Sequence, residues 1–163
     1  MIATKHNPEG VTLSISSTVE QVCLLSVAIH ALCLHASGDE ASAMAVQCAV
    51  VEALNNVILH GYKNLPESDI IVHWTQTKAE MRIDIIDFGH SMTLLPEPVL
   101  PDFEAENGRG WWIINASVDE YYYQVVDTLE RARTYQPDGS HDYSEAVNAT
   151  THYNKLTFIK RFS

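Results

Sequence analysis

The sequence predicts a two-layer α/β sandwich, in which helices cover one face of a mixed, mostly antiparallel sheet. Three observations predict it. The chain opens with strand-like alternation, two apolar stretches of helix length follow, and most of the remaining periodic segments have strand period. Helices and strands are thus clustered along the chain, whereas a doubly wound parallel sheet would require them to alternate. At 163 residues the chain is expected to form a single domain over 1–163.

The first half predicts one strand and two helices. Apolar and polar residues alternate over 11–17, which indicates a strand. A helix is expected over 18–36, begun by a capping threonine, and the Ser-Gly-Asp cluster at 37–39 interrupts it. A second helix then runs to about residue 60, because Gly61 stands just past its end, where a C-terminal glycine is common.

The middle of the chain predicts a hairpin, a loop and a short helix. Residues 69–77 and 80–88 look like two strands joined by a tight turn. Residues 89–107 contain three prolines and no periodicity, and loops of this length are usually functional. A short apolar helix is expected over 109–117.

The C-terminal part predicts two more strands, over 119–126 and 156–162. A polar insertion at about 127–151 separates them. The pattern leaves open whether this insertion is a long hairpin extension, a small helical insert or a loop.

Charge and composition exclude several classes of partner. The chain has 10 Lys and Arg against 21 Asp and Glu, a formal net charge of −11. Nucleic acid is therefore not an expected partner, because neutralising phosphates requires a basic face. An anionic membrane surface is not an expected partner for the same reason. A small anionic ligand stays compatible with the sequence, because backbone amides and a metal ion can bind it locally.

The lack of a recognisable targeting signal and the pattern of the cysteines favour a cytoplasmic protein. No apolar run is expected to span a bilayer, and the N-terminus shows no secretory leader. Cys23, Cys33 and Cys48 form no CxxC pair and lie in apolar helical stretches. We expect them to be buried free thiols in a reducing compartment.

The first motif lies on the second predicted helix. Glu52, Asn56 and His60 are spaced i, i+4 and i+8, so they share one helical face. A carboxylate beside an amide oxygen can hold a hydrated Mg²⁺ and deprotonate a nucleophile. The alternative is an ordinary polar face of an amphipathic helix.

The second motif ends the second strand of the hairpin. Asp87-Phe88-Gly89 presents a carboxylate at the sheet edge, where it can accept a hydrogen bond from an exocyclic amine such as that of adenine. Gly89 allows a close backbone approach. The alternative is a simple turn after the strand.

The third motif precedes the short helix. Gly108, Arg109 and Gly110 open it, and backbone N–H groups at a helix N-terminus bind phosphate oxygens. The spacing is neither that of a Walker A loop nor that of a Rossmann fingerprint. The alternative is a flexible loop before an ordinary helix.

Together, the order and spacing of these motifs resemble the N, G1 and G2 boxes of the Bergerat-fold (GHKL, histidine kinase-like) ATPases. Residues 46–120 are similar to the anti-sigma factor serine-protein kinases, the RsbW and SpoIIAB group. The likeness extends more loosely over 11–126 and the last strand.

The resemblance implies a site for ATP and Mg²⁺. Glu52 would be the catalytic base that activates a substrate serine, and Asn56 would coordinate Mg²⁺, with Asn55 near the phosphates. Asp87 would bind the adenine amine, with Gly89 beside it.

The resemblance also assigns the phosphate loop. Gly108, Arg109 and Gly110 would close over the phosphates, and the loop before them would be the ATP lid. Thr157 is a candidate for the last-strand threonine whose hydroxyl contacts adenine in this family.

The chain departs from the family pattern at several places, among them Trp111 and Trp112, which are bulky for the start of the lid helix, and the long polar insertion. Ser91 stands where a second glycine is common. The lid contains no Lys or Arg over 90–107 and has four acidic residues, which would repel a triphosphate unless they point away from it. These are Glu97, Asp102, Glu104 and Glu106.

By this resemblance, the expected function is that of an ATP-dependent serine/threonine kinase and anti-sigma factor. It would phosphorylate an STAS-domain anti-anti-sigma protein, sequester a sigma factor and form a homodimer. The alternative function is a nucleotide-dependent protein-binding switch of the same fold without kinase turnover.

Overall fold

The computed structural model describes residues 10–65, 67–102, 108–143 and 151–163. Within these ranges the chain forms seven strands, three α-helices and one π-helical turn. In chain order they are β1 (Gly10–Ser16), α1 (Val19–Ser37), α2 (Glu40–Asn56), the π turn (Val57–Gly61), β2 (Asp69–Gln76), β3 (Glu80–Asp87), α3 (Gly110–Ser117), β4 (Glu120–Asp127), β5 (Ala132–Tyr135), β6 (His141–Tyr143) and β7 (Thr151–Arg161).

The strands form one sheet in the order β1-β2-β3-β7-β4-β5-β6. Each neighbouring pair among the described strands is antiparallel. The described sheet is therefore antiparallel, whereas a mixed, mostly antiparallel sheet was expected. The predicted two-layer α/β sandwich is confirmed. Strand β7 lies between β3 and β4, which brings the end of the chain into the middle of the sheet beside the second motif.

The core lies between the sheet and the helices. Apolar residues at alternate positions of β2, β3 and β7 pack with the inner faces of α1 and α2 and with Ile114 of α3. The helix ends explain how α1 and α2 form an antiparallel pair. Thr18 caps α1 by accepting from the Gln21 N–H, Gly38 ends it in the left-handed region at φ 64°, and Asp39 caps α2.

In the C-terminal part, one prediction is wrong and one open alternative is decided for the described residues. The last strand begins at Thr151, five residues before the expected start, because β4 supplies backbone partners from Thr151 and β3 supplies them from Asn154. The described part of the polar insertion forms the β5–β6 hairpin, which extends the edge of the sheet and agrees with the first of the three alternatives left open. Residues 144–150 of this insertion lie outside the described residues.

The expectation that no apolar run is long enough to span a membrane is also wrong, because two helices pass that test on length and composition. Val19–Ser37 and Glu40–Gly61 are both long and apolar enough. Each nevertheless places residues in the core beside the sheet, as core helices of globular domains do. The helices also expose two of the three cysteines, Cys23 and Cys48, which were expected to be buried; Cys33 is buried.

Candidate functional site

The first and third motifs meet where α3 begins. A Cβ built on Gly110 would lie 2.9 Å from Glu52 Oε2 and 3.7 Å from Asn56 Nδ2. The start of α3 therefore lies directly over the Glu52 and Asn56 side chains, with no room for another side chain between them. Asn56 Nδ2 is buried and has no hydrogen-bond partner among the described residues. This amide can still bind a ligand that enters beside Glu52.

The first and second motifs meet at the π turn. Gly61 was expected just past the end of the helix, but it is the last residue of the π turn and has no positive φ. A Cβ on Gly61 would make only ordinary contacts, the nearest 3.5 Å from Asp87 Oδ1, and the Gly61 carbonyl accepts from the His90 N–H at 2.9 Å. A Cβ on Gly89 would lie 2.5 Å from that carbonyl oxygen. The π turn thus joins the carboxylate-bearing strand to the helix, and such turns are frequent at functional sites.

Asp87 is buried, at 6% exposure, and is held by two donors. Its Oδ1 accepts from the Gly89 N–H at 2.9 Å and from Asn154 Nδ2 at 3.0 Å. Oδ2 has no hydrogen-bond partner within the described ranges. Burial raises the pKa of Asp87 above its ordinary value, and the bonds from Asn154 and Gly89 oppose that rise. One oxygen of a buried carboxylate is therefore left for a ligand donor.

Two tyrosine hydroxyls fix the backbone on either side of Gly89. Tyr62, just after the π turn, donates to the Asp69 carbonyl at 2.5 Å and accepts from the Phe88 N–H at 2.9 Å. Tyr123 of β4 accepts from the Met92 N–H at 3.0 Å. The backbone from Phe88 to Met92, where the loop leaves the second motif, is therefore fixed at both of its ends.

Asn154 is the site residue that the sequence interpretation missed. It is fully buried on β7, opposite Asp87 in the register, and also donates to the Gly89 carbonyl at 3.0 Å. Ser91 donates to its Oδ1 at 2.6 Å. The sequence does contain a signal for it. If the last strand is taken to begin before Leu156, Asn154 lies two residues earlier and therefore on the same buried face.

Thr157, the candidate threonine of the last strand, does not face the site. It lies three residues from Asn154 and therefore on the opposite face of the sheet. There its hydroxyl donates to Asp84 Oδ1 at 2.7 Å. No family threonine role can be assigned to it.

The remaining predicted residues lie around this centre. Asn55 is half-buried and is turned about 100° from Asn56 around the helix axis. Gly108 adopts a positive φ of 98°, which favours glycine, and Arg109 is exposed at the N-cap of α3. In the lid, Glu97 and Asp102 are both exposed. Residues 103–107, with Glu104 and Glu106, lie outside the described residues.

Comparison with known families identifies this arrangement. The model of the histidine kinase-like ATPase domain matches residues 15–133, which include all three motifs. The chain belongs to this family. It is thus an ATP-binding domain of the GHKL class. Among curated proteins, none matches the chain. The family match ends within β5, so most of the β5–β6 hairpin and all of β7, including Asn154, lie beyond it.

The donor set fits a magnesium ion that arrives with nucleotide phosphates. Within the described ranges, no group of three or more His, Cys, Asp or Glu could hold a metal ion. Mg²⁺ is usually bound through one or two protein oxygens together with phosphates and water. The Asn56 amide, whose nitrogen has no hydrogen-bond partner in the described part of the chain, can supply one such oxygen. When bound, the ion would neutralise phosphate charge.

Proposed function

We propose that this GHKL domain is an ATP-dependent serine-protein kinase and anti-sigma factor, located in the cytoplasm. Its substrate would be a serine of an STAS-domain anti-anti-sigma protein, and a sigma factor would be its second partner. The observation that carries the proposal is the position of Glu52. This carboxylate lies against Gly110 at the start of α3, where phosphates bind favourably, and next to an amide nitrogen with no partner among the described residues.

The chemistry of this placement is that of a general base. As the serine Oγ forms its bond to the γ-phosphorus, the bond from phosphorus to the bridging oxygen breaks and ADP leaves. The serine proton passes to the Glu52 carboxylate. Catalysis of this kind depends mostly on positioning and on charge neutralisation, which the rigid α2 helix and the start of α3 would provide.

We expect Glu52→Ala to reduce phosphoryl transfer by about 10²- to 10⁴-fold, the usual contribution of a general base. ATP binding should change little, because Glu52 acts on the serine rather than on the nucleotide. The measurement is transfer of labelled phosphate to a purified STAS protein, with ATP affinity determined in parallel.

Glu20→Ala is the matched control, since Glu20 is an exposed carboxylate on α1 and should leave both quantities unchanged. Undiminished transfer by Glu52→Ala would exclude Glu52 as the base. If wild-type protein binds ATP but modifies no STAS protein, the kinase proposal fails.

A nucleotide-dependent switch without turnover is the second candidate. The acidic lid favours it, because Glu97 and Asp102 are exposed and would oppose closure over a triphosphate. In that case a partner would bind tightly in the presence of ATP or ADP, and Glu52→Ala would leave this binding intact.

An exposed apolar stripe on α1 supports homodimerisation. We call Leu24, Val27, Ala31 and Leu34 the α1 stripe; Leu24 and Val27 are 67% and 66% exposed. Their spacing of three and four residues places them on one face. Residues 19–56 contain no Lys or Arg, and the chain has a net charge of −11, so two copies repel each other over most of their surface. A stripe without charged side chains is where a second copy can pack with little repulsion, and it is our proposed dimer contact.

We expect the double variant Leu24→Glu, Val27→Glu to be monomeric at concentrations where the wild type is dimeric. Two charges on each copy would face like charges across the contact. Light scattering during size-exclusion chromatography measures the mass. Leu129→Glu is the control, because Leu129 is equally exposed at 69% but lies in the β4–β5 turn. A wild-type mass of one chain would contradict the dimer.

A further inference from the structure

We propose that Asn154 determines the purine specificity of the site by keeping the Asp87 carboxylate a hydrogen-bond acceptor. The proposal rests on the proposed role of Asp87 in binding the base. It concerns a residue outside the part of the chain that the family model matches.

The contacts of Asn154 fix the orientation of its amide. The Gly89 carbonyl can only accept, so the nitrogen of the amide must face it, and the second N–H of the same nitrogen reaches Asp87 Oδ1. The amide oxygen then faces Ser91, whose hydroxyl donates to it. Asn154 therefore acts on Asp87 as a donor, and a donor stabilises the ionised carboxylate.

An ionised carboxylate accepts hydrogen bonds and donates none. Adenine presents an exocyclic amine, which donates. Hypoxanthine presents a carbonyl oxygen at the same position, which repels a carboxylate but can accept from a protonated carboxyl group. With Oδ1 occupied by Gly89 and Asn154, the free Oδ2 distinguishes the two bases according to the protonation of Asp87.

Loss of the Asn154 donor would favour the protonated form of Asp87. Burial already raises the pKa of Asp87, and the bond from Asn154 is the foremost contact that opposes it. The titratable groups that face this carboxylate are Tyr62 and Tyr123, and burial raises the pKa of both hydroxyls, so they stay neutral. His60 and His90 are exposed on the adjoining segments. Because ATP and ITP carry identical phosphates, the ratio of their dissociation constants cancels any effect of those histidines on phosphate binding.

The test measures the dissociation constants of MgATP and MgITP between pH 5.5 and 8.5 for wild type, Asn154→Ala and Asn154→Asp. We expect the wild type to bind ATP more tightly than ITP, with a ratio of dissociation constants that is nearly constant over this pH range. In Asn154→Ala the preference should fall by about tenfold toward pH 5.5. In Asn154→Asp, which has nearly the same shape, two carboxyl groups share one site, so the preference should fall already near neutral pH.

Thr157→Val is the matched control. It removes an equivalent hydrogen bond from the same strand to Asp84, on the opposite face of the sheet. This variant should melt at a lower temperature than the wild type, with an unchanged ratio of the dissociation constants for ATP and ITP.

A wild-type ratio at every pH in both Asn154 variants would overturn the proposal. So would an equal fall in the Thr157→Val ratio, which would indicate a general loss of structure. If Asn154→Ala does not fold, the Asn154→Asp profile decides alone. ATP binding by a wild type that shows no preference over ITP would refute the specificity role and leave ATP binding intact. Failure of the wild type to bind either nucleotide would refute both.

Discussion

Asp87→Asn should weaken ATP binding by on the order of 100-fold, a loss consistent with replacing a charged acceptor by an amide. The amide can turn its nitrogen toward the ligand or toward Asn154, and in either case a donor then faces another donor. Calorimetric titration with ATP, in the presence and absence of Mg²⁺, measures the effect.

The same variant should fold at least as stably as the wild type at pH 7. The folded pKa of Asp87 is raised above the ordinary value of 3.8, so the folded state binds this proton more tightly than the unfolded state does. The free energy of unfolding therefore falls as the pH rises from that value through the folded pKa, and the loss is complete above it. The amide that replaces the carboxyl group does not titrate, so the variant avoids this loss.

Melting curves at pH 7 and at a pH below 3.8 separate the two effects in Asp87→Asn. The advantage of the variant should vanish at the lower pH, where Asp87 is protonated in both states. A variant that melts far below the wild type at pH 7 would show that the carboxylate supports the fold, and its loss of ATP binding would then be uninformative.

Gly89→Ala should lower the free energy of unfolding by about 1–3 kcal/mol, the usual cost of overpacking. A Cβ at this position lies 2.5 Å from the carbonyl oxygen and 2.6 Å from the carbonyl carbon of Gly61. Both are backbone atoms, and the hydrogen bond from the His90 N–H holds the two segments together. Relief requires the π turn and the end of β3 to separate, so ATP affinity should fall as well. Urea unfolding measures the stability change.

Gly110→Ala is the contrasting variant for this prediction. Its Cβ would lie 2.9 Å from Glu52 Oε2, the end of a flexible side chain that can turn away. We expect stability close to that of the wild type, with phosphoryl transfer reduced because the carboxylate is displaced. Equal destabilisation by both substitutions would contradict the close backbone contact at Gly89.

The parts of the site that the sequence predicted are those defined by local periodicity. Glu52 and Asn56 share a helical face at any register, and Asp87 ends a strand whose alternation is clear. Caps such as Thr18 and Asp39 are equally local, because each bonds within three residues. The bounds predicted for these elements lie within a few residues of those observed.

The parts that could not be predicted depend on pairing between distant segments. Asn154 meets Asp87 only because β7 pairs beside β3, across 67 residues of chain. Pairing with β4 sets the start of β7 at Thr151. Gly61 matched a helix-ending pattern, but its carbonyl packs against Gly89, a contact that no local pattern contains.

The spacing of the two buried aspartates on β3 limits how the gene can change length. Asp84 and Asp87 are three residues apart and so lie on opposite faces of the sheet, each bonded to a polar partner on β7. Insertion or deletion of one codon between them would exchange the faces of every residue on one side of the change. We expect length variants among related genes to be confined to the turn at 77–79 and to other loops, with none within β3.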